Sequence, residues 1–236
     1  MKTSLSVRRS IASTLLCLLA AAAGDASAAS LTVNGWTLGE NVTVVSGGVT
    51  ETVATAQLDL TVAGASGFSY CVDLAQSIGP GTSSGWDLLS PGLSDSVTRA
   101  AWLVDTFQPA LGSMVHPAGE DFSFGVTRAT AIAALQVAVW EVMSDSPGNY
   151  DLGSGAFAIG AGGASDGVMN LTRDMLGQLS GADLSGYTTS AVWAVNASKQ
   201  DQLFFGRVNP IPEPGTVGLY ALGAAIAAFG IRRKVA

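Results

Sequence analysis

Few residues in this chain of 236 could carry chemistry, since it holds two Cys and one His. Cys17 lies in an apolar N-terminal run that reads as a secretory signal and is expected to leave with it. Cys71 is then the only thiol of an exported domain. An odd cysteine in that setting implies an intermolecular partner, a reactive thiol or an inert buried one. Free thiols outside the cytoplasm oxidise or cross-link, so Cys71 needs an account. It sits in Phe68-Ser69-Tyr70-Cys71-Val72-Asp73-Leu74. Read as a strand, this run puts Phe68, Tyr70, Val72 and Leu74 on one face and Cys71 and Asp73 on the other.

Gln136 is the second oddity. The stretch from Thr127 to Met143 is rich in Ala and apolar residues and is long enough for four or five helical turns. Thr127 is placed to cap it. From Ala131 to Trp140 the only polar side chain is Gln136. A helix apolar all round is buried, so this amide is expected in the core, where lacking partners costs a few kcal/mol. Ile132 and Trp140, one turn either side, offer it little to bond.

Tyr70-Cys71-Val72 and Leu135-Gln136-Val137-Ala138-Val139-Trp140 resemble the two signatures of the thioester domain family of bacterial surface proteins. The stretch Asn149 to Gly155 is similar to a turn-and-strand segment that follows the helix in that family. Leu135 stands where the common pattern has Thr. The resemblance implies that the Cys71 sulfur and the Gln136 carbonyl carbon join in an internal thioester. A thiolate would attack the amide carbon and ammonia would leave. Proximity can supply several kcal/mol of that barrier. Asp73 and His116 are candidates for protonating the departing nitrogen, and Tyr70 and Trp140 would keep water off the bond. Closing a loop of about 65 residues would add roughly 4 kcal/mol of stability on the loop-entropy view. The implied function is a single-use covalent binder, not a turnover enzyme. It would capture an amine or hydroxyl on a surface macromolecule, in adhesion or cross-linking, without a cofactor or metal.

Two other readings stay open. One is a non-covalent structural or adhesive matrix protein whose Cys71 is inert and buried. The other is a Cys-His hydrolase using His116, but that residue lies in Gly112-Ser113-Met114-Val115-His116-Pro117, a turn-like stretch with no element to hold it. One His and two Cys do not build an ordinary Cys/His zinc site. Asp145, Asp151 and Asp166 fall in Gly/Ser-rich loops where Ca²⁺ would be welcome, yet no twelve-residue calcium loop is present. The five Trp read mostly as core rather than as a sugar platform.

The charge distribution separates body from ends. The chain is net −7, but residues 1–28 and 210–236 each hold three basic groups and one acidic. Five basic and sixteen acidic groups remain in 29–209, net −11. Such a body does not hold nucleic acid by neutralising phosphates. At the N-terminus, Lys2, Arg8 and Arg9 precede an apolar run from Ile11 to Ala23 and the small residues Ala26-Ser27-Ala28, so 1–28 reads as a signal peptide. At the other end, Pro212-Glu213-Pro214 is followed by the uncharged stretch Gly215 to Ile231 and then by Arg232-Arg233-Lys234. As a helix that stretch is roughly 26 Å long, close to the hydrocarbon thickness of a bilayer, with its basic end expected on the cytoplasmic side. Residues 210–236 resemble the PEP-CTERM sorting signal. That resemblance implies an exosortase-type partner, a membrane-anchored intermediate in the inner membrane, and delivery to the cell surface or extracellular matrix.

The elements that must position Cys71 and Gln136 follow from pattern. Leu31–Trp36, Val42–Val45 and Val53–Val62 read as strands, the last by clear alternation. Ser77 to Pro91 reads as a Gly/Ser/Pro loop. Ser94 is placed to cap a helix to about Phe107, and Ser165 one from Asp166 to Leu179. The Gly-rich stretch 148–167 has room for one short strand, and Tyr187–Asn196 and Gln202–Val208 read as closing strands, with a linker from Val208 to Glu213. Strands, then helices, then strands is an α+β order. It fits a β-sandwich or barrel with a helical insertion, the layout the thioester-domain resemblance implies for 29–209.

Overall fold

The alternating apolar residues of the first half of the chain build a long hairpin. The computed structural model describes residues 28–112 and 126–206. The expected signal peptide, His116, and the tail with its expected linker and membrane span lie outside the described residues. Strand β1 (Ala29–Ser46) pairs antiparallel with β2 (Val49–Val62) along nearly its whole length. The two strands expected at Leu31–Trp36 and Val42–Val45 are thus one. Its register slips between Val33 and Gly35 and again between Leu38 and Asn41, and these irregularities let one strand serve two environments. Leu31 and Val33 pack with Leu58, Leu60 and Val62, whereas Val42 and Val44 belong to the helix-side core.

β3 (Ala65–Cys71) follows, then β4 (Gly81–Leu89). β4 corrects the sequence expectation of a loop from Ser77 to Pro91. Its Gly/Ser content hides it, and Gly81 and Gly85 adopt positive φ that other residues resist. Pairing with β1 on one side and β6 (Val192–Val195) on the other holds it, and Trp86 is buried from it. β6 is shorter than the expected Tyr187–Asn196. β5 (Phe157–Ile159) adds to the far end of β1, and β7 (Gln202–Gly206) joins β3 to β6. The sheet order is β2-β3-β7-β6-β4-β1-β5, and because β1 also pairs with β2 the ladder returns to its start. The strand pairings are antiparallel throughout. Closure leaves few free edges for association with other chains.

Three α-helices are present among the described residues: α1 (Asp95–Gly112), α2 (Arg128–Ser144) and α3 (Asp166–Gly181). α1 continues past the expected end at Phe107 and through Pro109. The Thr127 and Ser165 caps form as expected, accepting from the N–H groups of Thr130 and Val168. Every residue of α2 from Thr130 to Val142 is buried. A helix with no polar face must be covered on all sides, and α2 lies between α1, α3 and the strands β1, β2 and β3. Its small residues permit close approach. A Cβ on Gly39 would lie 2.9 Å from the backbone nitrogen of Ala133, so only glycine fits where β1 crosses the helix. The result is a sheet-rich α+β fold. No helix among the described residues is long and apolar enough to cross a membrane.

Candidate functional site

The end of β3 explains why Cys71 meets the helix. β3 pairs with β7 from Gly67 to Cys71, but its pairing with β2 stops at Ser69 opposite Leu58. Successive residues of a strand direct their backbone groups to opposite neighbours. The Val72 N–H donates toward β7, to the Asp201 carbonyl at 3.1 Å. The N–H and C=O of Cys71 therefore face the β2 side, where no strand partner remains. Gln136 takes that place. The Cys71 N–H donates to Gln136 Oε1 at 3.2 Å, and Gln136 Nε2 donates to the Cys71 carbonyl at 2.7 Å. The side-chain amide thus bonds Cys71 as the peptide group of a neighbouring strand would. It satisfies itself and a strand end together, which removes the cost of its burial.

The Cys71 side chain points to the opposite face from Tyr70. Tyr70 and Val72 are buried in the helix-side core, with Phe68 and Leu74 packed against it, while Cys71 packs against the smaller cluster of Leu31, Leu60, Trp86 and Phe204. Its sulfur lies 3.4 Å from Gln202 Nε2 and 3.8 Å from Gln202 Oε1. Gln202 is the cross-strand partner of Cys71 and is fully buried. Its Oε1 accepts from the Ser69 hydroxyl at 2.8 Å, and its Nε2 donates to the Gln200 carbonyl at 3.1 Å. Burial pushes the Cys71 thiol up to about 12; the Gln202 hydrogen bond pulls it down, and the Asp73 carboxylate adds to the rise. The thiol is protonated through the neutral range.

The other sequence candidates fall into place around this pair. Tyr70 is fully buried, and burial raises its phenol well above the usual range. Trp140 is buried one turn beyond Gln136, with its ring 6.3 Å from that of Phe157. Asp73 shares the Cys71 side of the strand run, but its carboxylate accepts from the N–H groups of Gln76 at 3.1 Å and Asp201 at 2.7 Å. It ties the β3 exit to the β7 entry. Asp145 caps the turn into β5 by accepting from the N–H groups of Ala156 and Phe157. Asp151 bonds the Ser154 hydroxyl and the Gly153 N–H, which hold its carboxyl low. Among the described residues no group of three His, Cys, Asp or Glu side chains is arranged to hold a metal.

A groove of about 540 Å³ opens at this point, and Cys71, Gln136 and Trp140 line it together with Trp36, Leu38 and Ile78. Trp36 is 49% exposed and Leu38 57%, so Trp36 is an exception among tryptophans that read mostly as core. The register slip after Val33 is the cause. Trp36 opposes Leu58 and Leu38 opposes Ala56, so both continue the face of Leu31 and Val33 beyond the stretch that β4 covers. No family model, curated protein or solved structure matches the chain. The site is thus argued from its own geometry. Sequence reasoning had pointed to Cys71, Gln136, Tyr70, Trp140 and Asp73 and had missed Ser69, Gln202 and Leu38. The only available signal for Gln202 and Ser69 was a polar residue on an otherwise apolar strand.

Proposed function

We propose that this is an exported protein whose Cys71 and Gln136 form an internal thioester that captures a partner covalently. The observation that carries the reading is the reciprocal pair of hydrogen bonds between the Gln136 amide and the Cys71 peptide group. Cys71 and Gln136 also line the same groove, so thiol and amide open on one cavity. In bond formation the sulfur attacks the Gln136 carbonyl carbon, the C–N bond breaks, and the thiol proton leaves on nitrogen as ammonia. The Cys71 N–H already donates to the carbonyl oxygen on which negative charge would develop, and one such donor is worth roughly 10²–10³ in rate. An amine entering the groove would then attack the same carbon, form an amide at residue 136 and free the Cys71 thiol. A hydroxyl would form an ester in the same way. The protein is spent after one event.

The six strands that close on themselves under a helical layer fit the barrel with helical insertion that the thioester-domain resemblance implies. The acidic body, the N-terminal signal and the Pro-Glu-Pro tail support a partner at the cell surface or in the extracellular matrix, reached through an exosortase-type enzyme and an inner-membrane intermediate. The half-buried thiol, its pKa raised by desolvation, favours a second reading, a non-covalent matrix protein with an inert Cys71. Methylamine separates the two. The thioester form gains one methylamine at residue 136 and exposes one thiol, as peptide mass mapping would show; the inert form gains nothing.

A further inference from the structure

We propose that Gln202, steadied by Ser69, is a positioning residue for the Cys71 sulfur both when the thioester forms and when it opens; this rests on the thioester reading above. The orientation of the Gln202 amide is set by its surroundings. The Gln200 carbonyl can only accept, so the end 3.1 Å from it is the nitrogen. The Ser69 hydroxyl then donates to the oxygen at 2.8 Å, and the second N–H of Nε2 is left facing Cys71 Sγ at 3.4 Å. Gln202 and Ser69 are both fully buried, so neither turns aside to water. They share the Cys71 face: Ser69 is two residues back on β3, and Gln202 is directly across on β7.

One amide thereby offers sulfur both kinds of partner. The thiol S–H can donate to Oε1, 3.8 Å away, while thiolate character can be met by Nε2–H. As sulfur attacks Gln136, its proton passes to the departing nitrogen, and Nε2–H supports the electron-rich sulfur until the C–S bond is complete. When an amine later attacks, the C–S bond breaks and the electron pair returns to sulfur. Nε2–H meets it again until a proton from the amine restores the thiol. Gln202 itself gains and loses no proton. Without it, the sulfur has a buried site and the Asp73 charge nearby, both of which disfavour the anion.

The test uses the full chain carrying Cys17→Ser, so that Cys71 is the only thiol. Methylamine treatment leaves Cys71 free whether or not a thioester stood there. Two readouts follow: the rate of alkylation by iodoacetamide at pH 8, and the S–H stretching band in the infrared. Gln202→Leu is expected to slow alkylation about tenfold and to move the S–H band to the position of an unbonded thiol. Ser69→Ala, which keeps Gln202 in place but frees it to turn, should give smaller changes in the same directions. A rate and band equal to those of the parent chain in a folded Gln202→Leu would overturn the proposal. Should that variant not fold, an unchanged Ser69→Ala would do the same. Mass before methylamine treatment tests the thioester separately, so the two readings fail by different signals.

Discussion

At the scale of single residues, Cys71 and Gln136 show how two apparent liabilities resolve each other. A glutamine in an apolar helix and a strand whose pairing on one side stops two residues before its pairing on the other would each leave buried polar groups unbonded. Two hydrogen bonds between them settle both. Gln136→Leu keeps the volume but leaves the Cys71 N–H and C=O unbonded, so it should lower stability by about 1–3 kcal/mol in urea unfolding. Glu141 is the titratable counterpart. It is fully buried, and burial, with help from the Asp145 and Asp151 charges, pushes its carboxyl up to about 7 against a backbone hydrogen bond from Asp151 that pulls it down. Its ordinary value is 4.5, so between 4.5 and about 7 the folded state holds a proton that the unfolded state releases. Stability therefore falls as pH rises through that window and levels above it. Glu141→Gln should flatten this decline and raise the thermal midpoint at pH 8, read by calorimetry across pH; a steeper decline would contradict the assignment.

At the scale of elements, the helix caps and the buried helix were legible in the sequence, and the reason is local. Thr127, Ser165 and the unbroken apolar run around Gln136 act within a few residues. Thr127→Ala should cost about 1 kcal/mol by removing the acceptor of the Thr130 N–H, measured by urea unfolding. The two faces of the Cys71 run were equally legible, because a period of two needs no distant information. What the sequence hid depends on partners far along the chain. β4 is a strand because β1 and β6 flank it, not because Gly81-Thr82-Ser83-Ser84-Gly85 favours one. The exposure of Trp36 was not legible because the slip that carries it past the covered stretch has no sequence mark. Gln202 could not be assigned to Cys71 before the β3–β7 register was known. Gly39 was silent too, since its role lies in the approach of α2. Gly39→Ala should push strand from helix and loosen the Gln136 contact, so it should expose Cys71 to alkylation more than a surface substitution such as Gly177→Ala does.

At the scale of the whole molecule, the proposed reading requires an acidic body to hold the Cys71 thiol safely until a partner arrives. A long-range cross-link between β3 and α2 would do so while fastening the sheet to the helical layer. The groove with its exposed Trp36 and Leu38 would give an incoming side chain access to that cross-link. Intact mass spectrometry of protein purified from its own host, compared with a Cys71→Ala chain, tests this account most directly. The account predicts that the parent chain is lighter than its processed sequence by one ammonia while the Cys71→Ala chain matches its sequence. A parent chain at its full sequence mass, with Cys71 open to alkylation, would contradict it.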